Sequence, residues 1–295
     1  MDIEAINPVA FQFGFIKVNW YGLIIGFAVI FGLLLALSAA KRIRFNPDIL
    51  LDLLIYAVPA AILGARIYYV LFRWDVYSEN PAEIIAIWHG GLAIHGAIIG
   101  AAISAYIYSR VKGISFFKLA DITAPSILLG QAIGRWGNFM NQEAYGGPVS
   151  LEFMQNLRLP QFIIDQMYIE GEYHHPTFFY ESLWNILGVV LLLIFRRKNP
   201  QRGIIFLSYL VWYSIGRFFI EGLRTDSLAF DGPVWLAKLM DILWSPMALF
   251  FEQGIMEYGN IRIAQLIGVI LIAISLLIML YKKIGSGYPT RYDEA

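Results

Sequence analysis

The sequence predicts an all-α polytopic membrane protein with seven transmembrane helices and two long outward-facing segments. Three observations carry that prediction. Of 295 residues, 58% are hydrophobic, 16% aromatic and only 15% charged, with a mean hydropathy of +0.61, whereas soluble domains carry about a quarter charged residues. Seven stretches approach the roughly 20 apolar residues that a spanning helix needs. Lysine and arginine are concentrated in alternate connections, as the positive-inside rule requires of a multi-pass chain.

The stretches run over about 19–40, 49–72, 91–109, 119–138, 178–195, 203–222 and 261–281. The amino terminus opens with Asp2 and Glu4 instead of a basic region, so no cleavable signal peptide is expected and the first stretch reads as a retained span. Lys41, Arg42 and Arg44 follow that span, and Arg110, Lys112 and Lys118 lie between the third and fourth. Arg196, Arg197, Lys198 and Arg202 separate the fifth and sixth; Lys282, Lys283 and Arg291 follow the seventh. All fall on one side of a seven-span chain. That side is read as the cytoplasm, with the amino terminus outside and the carboxyl terminus inside. The fourth stretch is the weakest, because Pro125, Gly130, Gly134 and Gly137 interrupt it.

Segments 139–177 and 223–260 then face outward. "VWLAKLMDILWSPMALFF" in the second suits a segment lying on the membrane surface. No soluble domain boundary or low-complexity segment is visible, so residues 1–295 read as a single integral membrane domain. The formal net charge is zero and there is no cysteine. Nothing therefore points to nucleic acid. A disulfide framework, a thiolate metal site and a cysteine nucleophile are excluded, and any thiol chemistry must use the thiol of a substrate.

Arg66, Arg135 and Arg217 sit inside predicted spans, where a central arginine costs about 2.5–3.5 kcal/mol on insertion scales. Such a residue can snorkel to the interface or pair with a buried carboxylate. Arg66 reads as structural. Arg135 and Arg217 lie near outer ends, where the positive-inside rule disfavours them. Tyr213, Arg217, Glu221 and Arg224 follow spacings of four, four and three, which places them on one helical face. Tyr21 and His95 also fall near outer ends, and Asn138 and Glu143 adjoin Arg135. One polar pocket in the outer leaflet is the economical reading. Two arginines in low dielectric suit a phosphate, because the guanidinium fork offers paired donors and keeps its proton. A phospholipid head group is the available phosphate at that depth. The glycines of "GRWGNFMNQEAYG" (134–146) are expected to open the helix there; a purely structural polar knot is the competing reading.

That stretch resembles the signature of the bacterial phosphatidylglycerol–prolipoprotein diacylglyceryl transferases. "GGLAIHGAIIG" (90–100), "HPTFFYES" (175–182) and "GRFFIEGLRTD" (216–226) are similar to the family's other motifs, in the same order. "WYGL" (20–23), "GARIYYV" (64–70) and "DITAP" (121–125) also fit, so the similarity extends from about residue 15 to 281. At position 142 glutamine stands where some members have glycine. The resemblance implies seven spans, a cytoplasmic carboxyl terminus and a multi-pass protein of the bacterial cell membrane. It implies transfer of the diacylglyceryl group of phosphatidylglycerol to the lipobox cysteine thiol of a preprolipoprotein, with glycerol phosphate released and a thioether formed. No metal or organic cofactor is implied. Arg135 and Arg217 match essential positions of the family; Tyr21, His95, Asn138, Glu143, Gly146, Glu221 and Arg224 match important ones.

The departing phosphate gains negative charge, which Arg135 and Arg217 are placed to meet. The thiol must become a thiolate, and His95 is the candidate base because histidine titrates nearest neutrality. Its alternative is a neutral histidine bonded to a neighbouring helix. Glu143 and Glu221 are expected to position the arginines. Asp121 reads as a cap or charge partner, His89 as interfacial, and "HHP" (174–176) as a loop-to-helix junction. No H-E-x-x-H element supports a metalloprotease, and no G-x-S-x-G element supports a serine protease. An anionic-lipid transporter, or a lipid-binding scaffold without chemistry, is the alternative. A transporter usually shows paired halves with broken helices near the midplane, whereas the only internal echo here is "IGRW" (133–136) with "IGRF" (215–218).

Overall fold

The computed structural model describes residues 5–14, 16–285 and 290–294. Asp2 and Glu4, on which the expectation about the amino terminus rests, lie outside them. The described chain is mostly helical. Helices run over Trp20–Arg42 (α1), Asp48–Phe72 (α2), Trp74–Glu79 (α3), Ile94–Val111 (α4), Phe116–Asn141 (α5), Leu151–Asn156 (α6), Gln161–Gln166 (α7), Thr177–Phe195 (α8), Ile204–Glu221 (α9), Val234–Trp244 (α10) and Ile263–Gly285 (α11).

Among the described residues five helices, α1, α2, α8, α9 and α11, are long and apolar enough to cross a membrane. The two other stretches expected to span also form helices, α4 and α5. His95 and Arg110 dilute the apolar character of α4, and Lys118, Asp121, Gln131 and Arg135 that of α5. One expectation is corrected here. The fourth stretch is not broken: α5 continues through Pro125 and all three glycines to Asn141.

The glycines serve packing instead. A Cβ at Gly137 would stand 2.7 Å from the Tyr21 ring, one at Gly134 3.5 Å from Ile25, and one at Gly130 3.9 Å from the Ala28 carbonyl. Spacings of three and four residues align Gly130, Gly134 and Gly137 on the face that meets α1. Without side chains there, α5 leaves room for Tyr21 and Ile25 of α1 to pack against it, as small residues do at helix contacts in lipid.

The chain forms two compact units, residues 1–35 with 123–292 and residues 36–122 with 293–295. In the 36–122 unit α2 packs along α4 with backbone against backbone. A Cβ at Gly64 would strike the Gly96 carbonyl, and one at Gly100 the Ala60 carbonyl. Ala60, Gly64, Gly96 and Gly100 form a small-xxx-small seam. Arg66 is structural, as expected. It donates to the carbonyls of Ile84 (2.9 Å), Gly90 (2.7 Å), Gly91 (2.9 Å) and Glu83 (2.5 Å). One buried guanidinium thus shapes the loop that leads into α4. His89, exposed in that loop, meets Glu83 at 2.9 Å.

In the other unit α8 and α9 are locked by Trp184 and Trp212. Their indoles stack at 4.2 Å, and each N–H donates to the other's carbonyl, at 2.9 and 3.0 Å. The indoles lie over Gly216 and Gly188, where a Cβ would collide with them. Two small cores cover the ends of these helices. Segment 148–174 folds α6, α7 and a three-stranded antiparallel sheet, ordered Pro148–Val149, Glu172–His174, Tyr168–Ile169, around Phe139, Met154, Ile163, Met167 and Phe178. Helix α10 buries Met240 and Trp244 against Phe218, Leu223 and Ile261, and leaves Trp235 and Ile242 exposed.

Candidate active site

Helix pairing decides which charges meet. Ser182 on α8 donates to the Ala132 carbonyl of α5 at 3.0 Å and accepts from the Trp136 indole at 3.2 Å. Those bonds set α8 against α5, as the tryptophan pair sets α8 against α9. Glu181, one residue before Ser182, therefore reaches an arginine on each neighbour. Its Oε1 lies 2.5 Å from Arg135 Nη2 and its Oε2 3.5 Å from Arg217 Nη1.

The pairing continues. Arg217 Nη2 lies 2.5 Å from Glu221 Oε2, one turn along α9, and Glu221 lies 3.8 Å from Arg224 Nη1. Arg224 holds Asp226 in a fork, Nε to Oδ1 at 2.8 Å and Nη2 to Oδ2 at 2.7 Å. Arg135, Glu181, Arg217, Glu221, Arg224 and Asp226 form one ladder of alternating charge. The carboxylates of Glu181 and Glu221 are 3% and 4% exposed, the three arginines between 13% and 19%, and Asp226 51%. Arg262 acts electrostatically on Glu221 from the strand Ile261–Arg262, and its own Nη2 donates to the Gly254 carbonyl.

Beside the ladder, α5 ends in a Schellman turn. Gln142 N–H donates to the Phe139 carbonyl at 3.2 Å and Glu143 N–H to the Asn138 carbonyl at 3.0 Å, the paired pattern of that motif. Gln142 takes φ +52°, a left-handed position where glycine is ordinarily preferred. Its side chain donates to the Gln166 carbonyl at 2.8 Å. Fully buried Gln166 in turn donates to the Phe139 carbonyl at 3.0 Å and accepts from the Ile6 N–H at 2.7 Å. The turn brings Glu143 back over the helix, where it accepts from Asn138 at 3.0 Å and Asn141 at 3.4 Å. Glu143 thus orders asparagines; Glu181 and Glu221 are the residues that meet the arginines.

Gly146 closes the junction. It pairs in a β-bridge with Arg224, donates to the His175 carbonyl at 3.1 Å, and its own carbonyl meets His174 Nδ1 at 2.9 Å. A Cβ there would stand 2.7 Å from His175 and 3.0 Å from the Leu223 carbonyl. Burial, followed by the charge of His174, lowers the His175 pKa to about 4, so that ring is neutral near pH 7. Burial, then the carboxylates of Glu170 and Asp226, push Tyr145 above the usual tyrosine range.

The structure therefore brings Arg135, Arg217, Glu221 and Arg224 together, with Asn138, Glu143 and Gly146 on the turns that flank them. Tyr21 lies against Gly137 of α5, 38% exposed. His95 belongs to the 36–122 unit, in the first turn of α4, with its ring 6.0 Å from that of Tyr68. Glu181, Gln166 and Asp226 were not singled out from sequence. A carboxylate in the second turn of an apolar helix is the signal for Glu181. Chemically, three guanidiniums in a partly buried site present paired N–H donors of the kind that suit phosphate oxygens.

The family model described as "Prolipoprotein diacylglyceryl transferase" matches residues 8–281. The chain is similar to a protein of Bacillus licheniformis named phosphatidylglycerol–prolipoprotein diacylglyceryl transferase, 52% identical over 99% of this chain and 98% of that one. A protein of the same name from Bacillus velezensis is 51% identical over 98% and 97% of the two chains. One from Lysinibacillus sphaericus, also of that name, is 56% identical over 88% and 94%.

Proposed function

The chain belongs to the prolipoprotein diacylglyceryl transferase family, and we propose from that premise that its charge ladder holds the phosphate of the lipid it consumes. The protein transfers the diacylglyceryl group of phosphatidylglycerol to a prolipoprotein. The acceptor is the thiol of the lipobox cysteine in the signal peptide. Sulfur attacks the glyceryl carbon, the carbon–oxygen bond to phosphate breaks, a thioether forms and glycerol phosphate departs. No metal or organic cofactor takes part.

The single observation that supports these assignments is Glu181 bridging Arg135 and Arg217 across three helices. Arginines held in advance need no reorganisation when charge develops on the leaving phosphate. Arg135 and Arg217 neutralise that charge, and Arg224, Asn138 and Tyr21 bind the head group. Glu221 and Glu143 position their neighbours, and Gly146 holds the Arg224 backbone through their β-bridge. His95 takes the thiol proton, as an imidazole nitrogen is chemically able to do.

We read the chain as one membrane domain of seven spans in the bacterial cell membrane. Segments 139–177 and 223–260 and the amino terminus face outward, and the carboxyl terminus lies in the cytoplasm. The charge distribution of the connecting segments supports that orientation. Lipid enters sideways from the bilayer, and the lipobox approaches beneath the outer segments.

The test is purified protein in micelles containing phosphatidylglycerol and a lipobox peptide, with glycerol phosphate release and peptide mass followed together. The parent should yield both products in equal amounts. Arg135→Ala should lose at least about 100-fold in rate, as loss of a transition-state charge contact does. Lipid binding without any adduct in the parent would favour the transporter or scaffold reading.

A further inference from the structure

The outer end of the ladder differs from the rest. Glu181 and Glu221 are walled in, whereas Asp226 is half exposed. Asp226 also takes the whole fork of Arg224: Nε and Nη2 both donate to it, one to each oxygen. A phosphate presents two oxygens to the same pair of donors. Lipid phosphate and Asp226 therefore cannot use that edge of Arg224 together.

The backbone makes exchange a local event. Arg224 is pinned by its bridge to Gly146 and by its N–H to the Glu221 carbonyl at 3.2 Å. Ser227 is pinned by its hydroxyl, which donates to the same carbonyl at 3.2 Å. Only Thr225 and Asp226 lie between these anchors, in a bend. Asp226 can swing into solvent while the arginine stays. Within the ladder three guanidiniums face three carboxylates, so one phosphodiester charge replacing Asp226 preserves neutrality. A phosphomonoester product carries up to about two charges, and a returning carboxylate competes with it.

We propose that Asp226 is a displaceable carboxylate that occupies the Arg224 fork between turnovers, yields it to the lipid phosphate, and returns to expel glycerol phosphate. It is a positioning and product-release residue, not a catalytic one. The proposal rests on the diacylglyceryl-transfer reading and adds to it the means by which product leaves.

The experiment uses the full-length protein in detergent. Glycerol phosphate binding is measured by titration calorimetry, and KM for phosphatidylglycerol is measured with a lipobox peptide. Asp226→Asn removes the competing charge and should bind glycerol phosphate about fivefold tighter, in line with a half-exposed ion pair. Its KM for phosphatidylglycerol should fall, with kcat limited by slower release. Asp226→Ser removes the carboxylate through a different side chain and carries the same expectation. Asp226→Glu keeps the charge and should resemble the parent, as should Asp231→Asn at a nearby exposed acid. A residue that only braced Arg224 would weaken binding when changed. Weaker or unchanged glycerol phosphate affinity in Asp226→Asn and Asp226→Ser would overturn the proposal, as would equal tightening in Asp231→Asn. The transfer reading fails separately: a parent that binds glycerol phosphate but makes no thioether defeats that reading while leaving the exchange at Arg224 intact.

Discussion

At the residue scale, Glu181 shows why a pair of buried arginines needs a third group. Two guanidiniums brought together in low dielectric repel, and removing one partner of a buried ion pair costs about 3–5 kcal/mol. Glu181 contacts both and is nearly inaccessible. Glu181→Gln keeps the shape and removes the charge. It should lower kcat/KM by about 100-fold or more, and Arg135 and Arg217 would no longer be held in register. Near-parental turnover in the micelle assay would sink that role. The arginines themselves were legible, because a cation inside an apolar stretch is costly enough to need a reason. Glu181 was not. It lies just past the "HHP" junction, and only the contact of α8 with two other helices reveals what it faces.

At the scale of elements, glycine carried a meaning that the sequence left ambiguous. The same spacing that reads as a broken helix is a packing face once α1 lies against it. The two glycine seams differ in what they meet. At Gly137 an added Cβ meets the ring of half-exposed Tyr21, a side chain that can yield. At Gly96 it meets the Gly64 carbonyl, and backbone cannot move without separating α2 from α4. Gly96→Ala should therefore lower the thermal midpoint in detergent clearly, by an overpacking cost of about 1–3 kcal/mol. Gly137→Ala should lower it less, and Gly22→Ala, with open space around it, not at all. Equal effects at all three positions would contradict this account of the seams. The Schellman turn after α5 belongs to the same scale. Gln142 accepts an unfavourable φ because its side chain ties the turn to buried Gln166, and that long-range bond has no local sequence signature.

At the scale of the whole molecule, the proposed orientation can be read without disturbing any native thiol, since the chain has no cysteine. Lys41→Cys and Glu252→Cys place single thiols at exposed positions on opposite sides of the predicted topology. A membrane-impermeant maleimide should label Glu252→Cys in intact cells and Lys41→Cys only after permeabilisation; the reverse pattern would invert the topology. The sequence by itself determined the membrane class, the helical content, the family motifs and the arginines. Those properties follow from composition, from period and from the cost of placing charge in lipid, all local along the chain. Tertiary structure alone decided that Glu181 joins Arg135 to Arg217, that the glycines of α5 pack and do not break, and that Asp226 is the one exposed member of the ladder. Such partnerships join residues up to tens of positions apart through the packing of separate helices, and no local pattern records them.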